Sequence, residues 1–189
     1  MLLIDGSAAP AAWVQRFVGL IRPGGSVLDV ACGSRGRHLR WLAAQGFAVT
    51  GIDRDPAAAA EDLPSGAQVL VADIEAGPWP LPGRRFDAVL VTNYLWRALW
   101  PALHEALVDD GVLIYETFAE GQQTVGRPSR PEFLLRPGEL LQAFAGLRVV
   151  AFEDGFEPEG PRFVQRIVAV KAGAGIGEPA RYGLSGPAR

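Results

Sequence analysis

One cysteine, two histidines and one methionine are the only thiol, imidazole and thioether groups in 189 residues. Cys32 has no second cysteine to pair with, so an internal disulfide is excluded, and a reducing, cytoplasmic setting is expected. So few soft ligands leave little from which to build a thiolate or imidazole metal centre, and no metal is expected. An excess of either charge is also lacking: 18 Lys and Arg stand against 21 Asp and Glu, for a net charge of -3 and a pI of about 5.4. A broad basic footprint is therefore missing, and nucleic acid is disfavoured as a partner. No apolar run approaches the roughly 20 residues of a membrane span. The start, "MLLIDGSAAP", lacks a basic n-region, so neither a secretory signal nor a membrane partner is expected. What remains is a chain with 49% hydrophobic and 21% charged residues, the composition of a globular domain.

That chain alternates between two periodicities. Residues 10–20 place Trp13 with Phe17, and Val14 with Val18, four apart, which predicts a helix opened by Pro10. "SVLDVA" (26–31) predicts a buried strand. A helix over 37–45 follows, with Gly46 to stop it. "FAVTGID" (47–53) predicts a second strand, after which Asp55-Pro56 reads as N-cap and N1 of a short Ala-rich helix. Further strands are predicted at 67–73, 86–93 and 111–118, with a helix at 98–108. A long polar loop (119–136) precedes a helix opened by Pro137. Two closing strands, 147–153 and 163–170, have no helix between them and should form an antiparallel pair. The expected fold class is α/β: a Rossmann-like, doubly wound, mostly parallel seven-stranded sheet with one antiparallel strand in a C-terminal hairpin. One domain is expected over residues 1–171, with a flexible Gly/Pro-rich tail over 172–189.

In such a sheet ligands bind at the carboxyl ends of the strands, near the point where strand order reverses. That edge collects Asp29 to Gly36, Asp53, Asp73, Asn93 and Glu116. "ACGSRG" must turn sharply and let a ligand approach the backbone, which glycine permits. The helix start behind it offers free N–H groups and a positive dipole end. Asp53 is placed to accept hydrogen bonds from two ribose hydroxyls. Asp73 would lie beside a base.

With these residues in place, "VLDVACGSRGRHLRWLA" resembles the first motif of class I S-adenosylmethionine (SAM)-dependent methyltransferases. "VTGIDRD" resembles their ribose-binding strand end, "VLVADIE" their adenine-contacting segment, and "RRFDAVLVTN" the fourth strand that closes over the methionine part. The resemblance spans about residues 10–170. It implies SAM as cofactor and S-adenosylhomocysteine as product. Asp29 would face the methionine ammonium, with Ala31, Gly33 and Gly36 passing close to the methionine moiety. Asp53 would bind the ribose, Asp73 and Ile74 the adenine, and Arg54 would lie over its face. Asn93 and Tyr94 would sit near the sulfonium. The usual turn runs small residue, x, Gly, x, Gly; here one extra residue precedes the last glycine, at Ser34 or Arg35. "FLLRPGELLQAF" and "GRHLRWLAAQGFAVTGID" are similar to tellurite-resistance-type members, which implies a small acceptor.

The activity so implied is in-line methyl transfer to a small molecule. The cofactor carries the reactivity and the protein aligns the partners. A base is needed only for an acceptor that must lose a proton; the candidates are Tyr94, Tyr115 and Glu116. Arg97 and Arg127 are candidates to clamp an anionic acceptor. Trp13, Trp96 and Phe133 are candidates to roof its pocket, under residues 119–136 as a mobile lid. Three other readings stand beside this one. A nicotinamide-dependent oxidoreductase lacks its G-x-G-x-x-G. A SAM-binding partner protein without catalysis needs no base. An RNA or protein methyltransferase would need a basic stripe or the N/D-P-P-Y motif, and Asn93 is followed by Tyr94-Leu95. The chain is expected to act as a monomer or homodimer.

Overall fold

The computed structural model describes residues 9–55, 57, 63–173 and 180–184. Seven strands form one sheet: β1 (Ser26–Val30), β2 (Ala48–Asp53), β3 (Ala67–Val71), β4 (Phe86–Thr92), β5 (Leu107–Phe118), β6 (Arg148–Glu157) and β7 (Arg162–Val170). Their order is β3-β2-β1-β4-β5-β7-β6. Neighbouring pairs are parallel from β3 through β5, whereas β7 is antiparallel to both β5 and β6. The doubly wound sheet with a single antiparallel strand is as the periodicities predict. The Ala-rich helix expected after Asp55 lies outside the described residues.

Alternation along the central strands builds two cores. One face of the sheet carries Val27, Val49, Ala88, Leu90, Val112, Ile114 and Val168, packed with Trp13, Phe17, Leu39 and Leu42. These last four come from α1 (Ala12–Phe17) and α2 (Arg37–Ala44). The opposite face carries Leu28, Val30, Val89, Val91, Leu113, Tyr115 and Ile167. It is covered by α3 (Trp100–Glu105) and α4 (Glu139–Ala143), through Leu103, Leu140 and Phe144. Since β1, β4 and β5 are buried on both faces, their sequences read as continuous apolar runs rather than alternating ones.

The end of α2 follows from the chain chemistry. Gly46 takes φ 87° and donates to the Ala43 carbonyl, while Phe47 N–H reaches the Leu42 carbonyl. This pair of bonds satisfies two carbonyls that a helix end leaves open. The helix predicted at 98–108 is shorter than its pattern. A 3-10 turn (Arg97–Leu99) leads into α3, which ends at Glu105. Strand β5 begins at Leu107, four residues earlier than its sequence suggests. Cross-strand pairing decides this: Leu107 pairs with Phe86, and Asp110 donates its N–H to the Lys171 carbonyl. A fully buried Leu107 gains more in the sheet than as one further helical residue.

The long segment 119–136 is tethered, not free. Ala119 bridges Leu135, and Leu134 and Leu135 are buried. Buried Gln122 accepts from Phe163 N–H and donates to the Arg127 carbonyl. Gly121 takes φ 107°, and a Cβ there would come within 2.6–2.8 Å of the Phe163 ring. Glycine is thus required twice, by conformation and by contact. We expect Gly121→Ala to cost about 1–3 kcal/mol, read by urea unfolding. An unchanged midpoint would show that Phe163 can move aside without loss.

Candidate functional site

The strand order reverses between β1 and β4, and strain gathers there. Ala31 follows β1 with φ 55° and Asn93 follows β4 with φ 54°. Both are non-glycine residues in the left-handed region, which costs energy and recurs at ligand sites. After Ala31 the chain turns again at Gly33 (φ 72°) and Gly36 (φ 51°). The N–H of Gly36 donates to the Gly33 carbonyl, so Ser34 and Arg35 form the exposed corner of a turn closed by the two glycines. The turn lies between β1 and α2.

Asp29 is the centre of this edge. It is fully buried in β1, and neither carboxylate oxygen has a hydrogen-bond partner among the described residues. Burial pushes its pKa up to about 8; Arg37 opposes the shift and Asp53 adds to it. An orphaned buried acid of this kind is costly unless a cation or donor answers it. His38, in the first turn of α2, is equally buried, with Nδ1 3.8 Å from Asp29 Oδ2. Its Nε2 accepts the Ala11 N–H. Burial first, and Arg37 second, push its pKa down to about 3, so the ring is neutral at pH 7. Cys32 is buried beside the loop, and burial pushes its thiol up, which makes it a packed filler and not a nucleophile.

Asp53, at the end of β2, spans the loop. Its Oδ2 accepts Gly33 N–H at 2.7 Å and its Oδ1 accepts Asp55 N–H at 2.9 Å. Asp73 sits beyond β3 and accepts the N–H groups of Glu75 and Ala76 through Oδ1. These bonds hold its pKa below the usual range. Ile74 beside it is buried. The Asn93 carboxamide oxygen is buried without a partner, while its N–H donates to the Glu116 carbonyl. Arg54, next to Asp53, lowers the Asp73 pKa from a distance. The cofactor candidates Asp29, Ala31, Gly33, Gly36, Asp53, Arg54, Asp73, Ile74, Asn93 and Tyr94 therefore lie along one edge of the sheet.

The three base candidates fare differently. The Tyr94 hydroxyl is buried without a partner at hydrogen-bond distance. Burial, with the nearby Glu75 carboxylate second, pushes its pKa up, so it stays protonated. Tyr115 is a correction: it is fully buried and its hydroxyl donates to the Tyr94 carbonyl at 2.9 Å, and burial pushes its pKa up as well. Glu116 is a second correction. It is buried under Arg166 Nε at 2.5 Å and Arg162 Nη1 at 3.4 Å. Those arginines continue to Glu157, and Arg166 and Arg16 both reach Glu153. Three arginines and three glutamates thus join β5, β6, β7 and α1.

Of the acceptor candidates, Trp13 and Arg97 are already engaged. Trp13 is buried against Phe17 with ring centroids 4.6 Å apart, beneath the Arg166 guanidinium. Arg97 makes a bidentate pair with Glu139 at 2.6 and 2.8 Å and donates to the carbonyls of Glu132 and Leu134. It fastens segment 119–136 to α4 instead of waiting for an anion. Trp96 and Phe133 remain exposed, as does Arg127, whose side chain has no ion pair among the described residues. Two residues were not expected from the sequence. Glu75 follows Asp73 in "ADIE" but has no strand end to mark it. The Thr117 hydroxyl, buried and unpartnered in β5, has the period of an ordinary strand residue. Elsewhere, a groove of about 600 Å³ between Trp79, Arg84 and Pro101 leads toward the start of β4, at the opposite edge from Asp29. Among the described residues no group of three His, Cys, Asp or Glu is placed to hold a metal, and no helix is long and apolar enough to cross a membrane.

The chain has a doubly wound sheet with an acid at the end of each of its first two strands, a glycine turn after the first and an antiparallel closing hairpin. Residues 27–111 match the family model described as a methyltransferase domain. The fold is that of solved SAM-dependent methyltransferases. It is similar to TehB from Haemophilus influenzae (TM-score 0.66, 19% identity), over 82% of this chain and 59% of that one. It therefore spans under two thirds of that protein. It is also similar to a TehB-like SAM-dependent methyltransferase from Corynebacterium glutamicum (TM-score 0.58, 22% identity), over 82% of this chain and 84% of that one. The [4+2]-cyclase SpnF shares the fold as well (TM-score 0.64, 15% identity, 85% and 78%). No protein of curated function matches the sequence.

Asp29 supplies a pH test. With a folded pKa of about 8 against an ordinary 3.8, the native state keeps a proton that the unfolded chain loses across that window. Stability therefore falls as pH rises from about 4 to 8. Asp29→Asn removes this slope. We expect the variant to gain Tm relative to the parent at pH 8, with the gap closing toward pH 4. A gap that does not change with pH would refute the burial argument.

Proposed function

We propose that the protein transfers the methyl group of SAM to a small-molecule acceptor. The observation that carries the reading is the orphaned, fully buried Asp29 carboxylate at the switch point, backed by the unpartnered Asn93 oxygen on the neighbouring strand. Buried acceptors with no donor of their own suit a ligand that brings a cation and hydrogen-bond donors. The ammonium of the methionine moiety fits Asp29. The ribose hydroxyls fit Asp53, whose carboxylate already closes the loop through Gly33. Asp73 and Ile74 would take the adenine end, with Arg54 over it.

When bound, SAM supplies an electrophilic methyl group and a neutral sulfide leaving group. The chain supplies position. Ala31, Gly33 and Gly36 bring backbone to the methionine part, and Asn93 and Tyr94 border the transfer region. Tyr94 and Tyr115 are held protonated, and Glu116 is tied up by arginines. The residues thus favour an acceptor that arrives deprotonated or already nucleophilic, such as a thiolate or an oxyanion, for which alignment is the main contribution. Trp96, Phe133 and Arg127 are the accessible groups that would meet it. Cytoplasmic location and a monomeric or dimeric state belong to the same proposal. A SAM-binding protein without transfer activity is the second reading, favoured by the same lack of a free base. The cyclase among the structural neighbours is a reason to test transfer directly.

Calorimetry should show binding of S-adenosylhomocysteine and none of NAD, and a screen with labelled SAM over thiols, metalloid oxyanions, carboxylates, phenols and amines should show transfer. Binding of NAD alone would overturn the reading, and cofactor binding without transfer to any acceptor would select the second one. Asp53→Ala should weaken S-adenosylhomocysteine by about 10- to 100-fold, since hydrogen bonds to a charged group are lost along with the Gly33 tether. Unchanged affinity would remove Asp53 from the site.

A further inference from the structure

His38 is buried and unused by the reaction as described. Its two nitrogens face two different parts of the molecule. Nε2 accepts the backbone N–H of Ala11 at 3.2 Å, just before α1. In a neutral imidazole this assigns the proton to Nδ1. Nδ1 in turn lies 3.8 Å from Asp29 Oδ2, beyond hydrogen-bond reach by well under 1 Å. The acid it faces has no other partner among the described residues. His38 and Asp29 are both almost wholly buried, so water does not readily answer either group.

We propose that His38 is a positioning residue for cofactor binding: its Nδ1–H closes onto Asp29 when the carboxylate becomes charged opposite a ligand ammonium, and Ala11 sets the tautomer that makes this possible. The inference rests on the SAM reading of the site. The logic is electrostatic. Unliganded Asp29 is protonated and asks little of a neighbour. An entering ammonium favours its charged form, and a charged oxygen draws the nearby N–H into a bond stronger than one between neutral groups. The other charges acting on the pair are Arg37, which acts on both, and Asp53, which acts on Asp29. His38 thus raises affinity for the charged end of the ligand specifically, without touching the ligand.

Two substitutions separate its two nitrogens. The amide nitrogen of His38→Asn overlays Nδ1 and keeps a donor toward Asp29, but gives up Ala11. The amide of His38→Gln overlays Nε2 and keeps an acceptor for Ala11, but gives up the donor toward Asp29. Two probes separate the charged end: S-adenosylhomocysteine carries the ammonium, whereas 5′-methylthioadenosine shares the adenosine and lacks it. By calorimetry, His38→Gln should lose about tenfold in affinity for S-adenosylhomocysteine and nothing for methylthioadenosine. His38→Asn should stay near the parent for both. Thermal unfolding, run alongside, should show both variants destabilised. Equal loss in both variants, or equal loss for both probes, would make His38 a packing residue and overturn the proposal, as would unchanged affinity for S-adenosylhomocysteine in His38→Gln. If the parent protein binds neither probe, the SAM reading itself has failed, a different result from the failure of His38. Where a variant does not fold, the parent carries the test: in its proton NMR spectrum the His38 Nδ1–H resonance should move downfield on saturation with S-adenosylhomocysteine and stay in place with methylthioadenosine. An unmoved resonance, or the same movement with both probes, would overturn the proposal.

Discussion

An acid buried without a partner is the constraint around which this molecule is arranged. Asp29 sits in the most central strand pair of the sheet, where both faces are closed by apolar side chains. Burial alone would keep it neutral. A neutral acid in a strand contributes no more than an asparagine would, and an apolar residue would pack better. Under the proposed function its counterpart is the positive charge of a bound ligand. The strained Ala31 and Asn93 have the same character: conformations that cost stability in the free protein and are held by the strands behind them. Stability in this fold is spent at one edge and recovered in the two cores.

The opposite design governs the C-terminal side. There the buried charges are answered. Glu116 is buried, but Arg166 and Arg162 reach it, and Glu153 and Glu157 balance the arginines. Removing one member of such a cluster would strand the others, which is why buried networks resist piecemeal change. Arg97 does the same for segment 119–136, with four bonds to three residues. Gln122 seals that segment from the other side. Segment 119–136 is therefore tethered at several points, and the candidates Trp96, Phe133 and Arg127 stay exposed beside these ties. The contrast between saturated and orphaned groups locates the site more sharply than any groove on the surface does.

Much of this was legible in the sequence because strands fix it. The acids at 29, 53 and 73, and Asn93, stand at the ends of apolar runs, so their convergence follows from the topology of a parallel sheet. The glycine turn was legible for the same reason: it has to join the end of β1 to the start of α2. What was not legible depends on contacts between distant residues. Nothing local to "LIYETF" shows that Tyr115 turns into the core on one face while Glu116 meets Arg166 on the other. That requires the β5–β7 register, in which Glu116 and Arg166 stand opposite. Arg97 read as a free cation because Glu139 is 42 residues away. The helical pattern of 98–108 was overridden at Leu107 by a strand partner that periodicity does not reveal. The burial of His38 was not legible either, since its partners Ala11 and Asp29 are set by the fold and not by neighbouring sequence.

These facts bear on how much chemistry the fold must supply. Displacement at a sulfonium methyl requires a nucleophile in line and near contact, so the main task left to the chain is alignment. A general base would require a group whose pKa lies near the working pH. The structure does not offer one among the candidates: both tyrosines are pushed up by burial, and the Glu116 carboxylate is engaged by two guanidinium groups. Burial pushes the acid Asp29 up to about 8, and under the proposed function it faces the cofactor end. On that reading its proton is tied to cofactor binding and not to the acceptor, which separates recognition of the charged methionine end from the transfer step. A site so organised would gain selectivity for the intact cofactor from a buried pair, Asp29 and His38, and leave the acceptor to bring its own nucleophilicity.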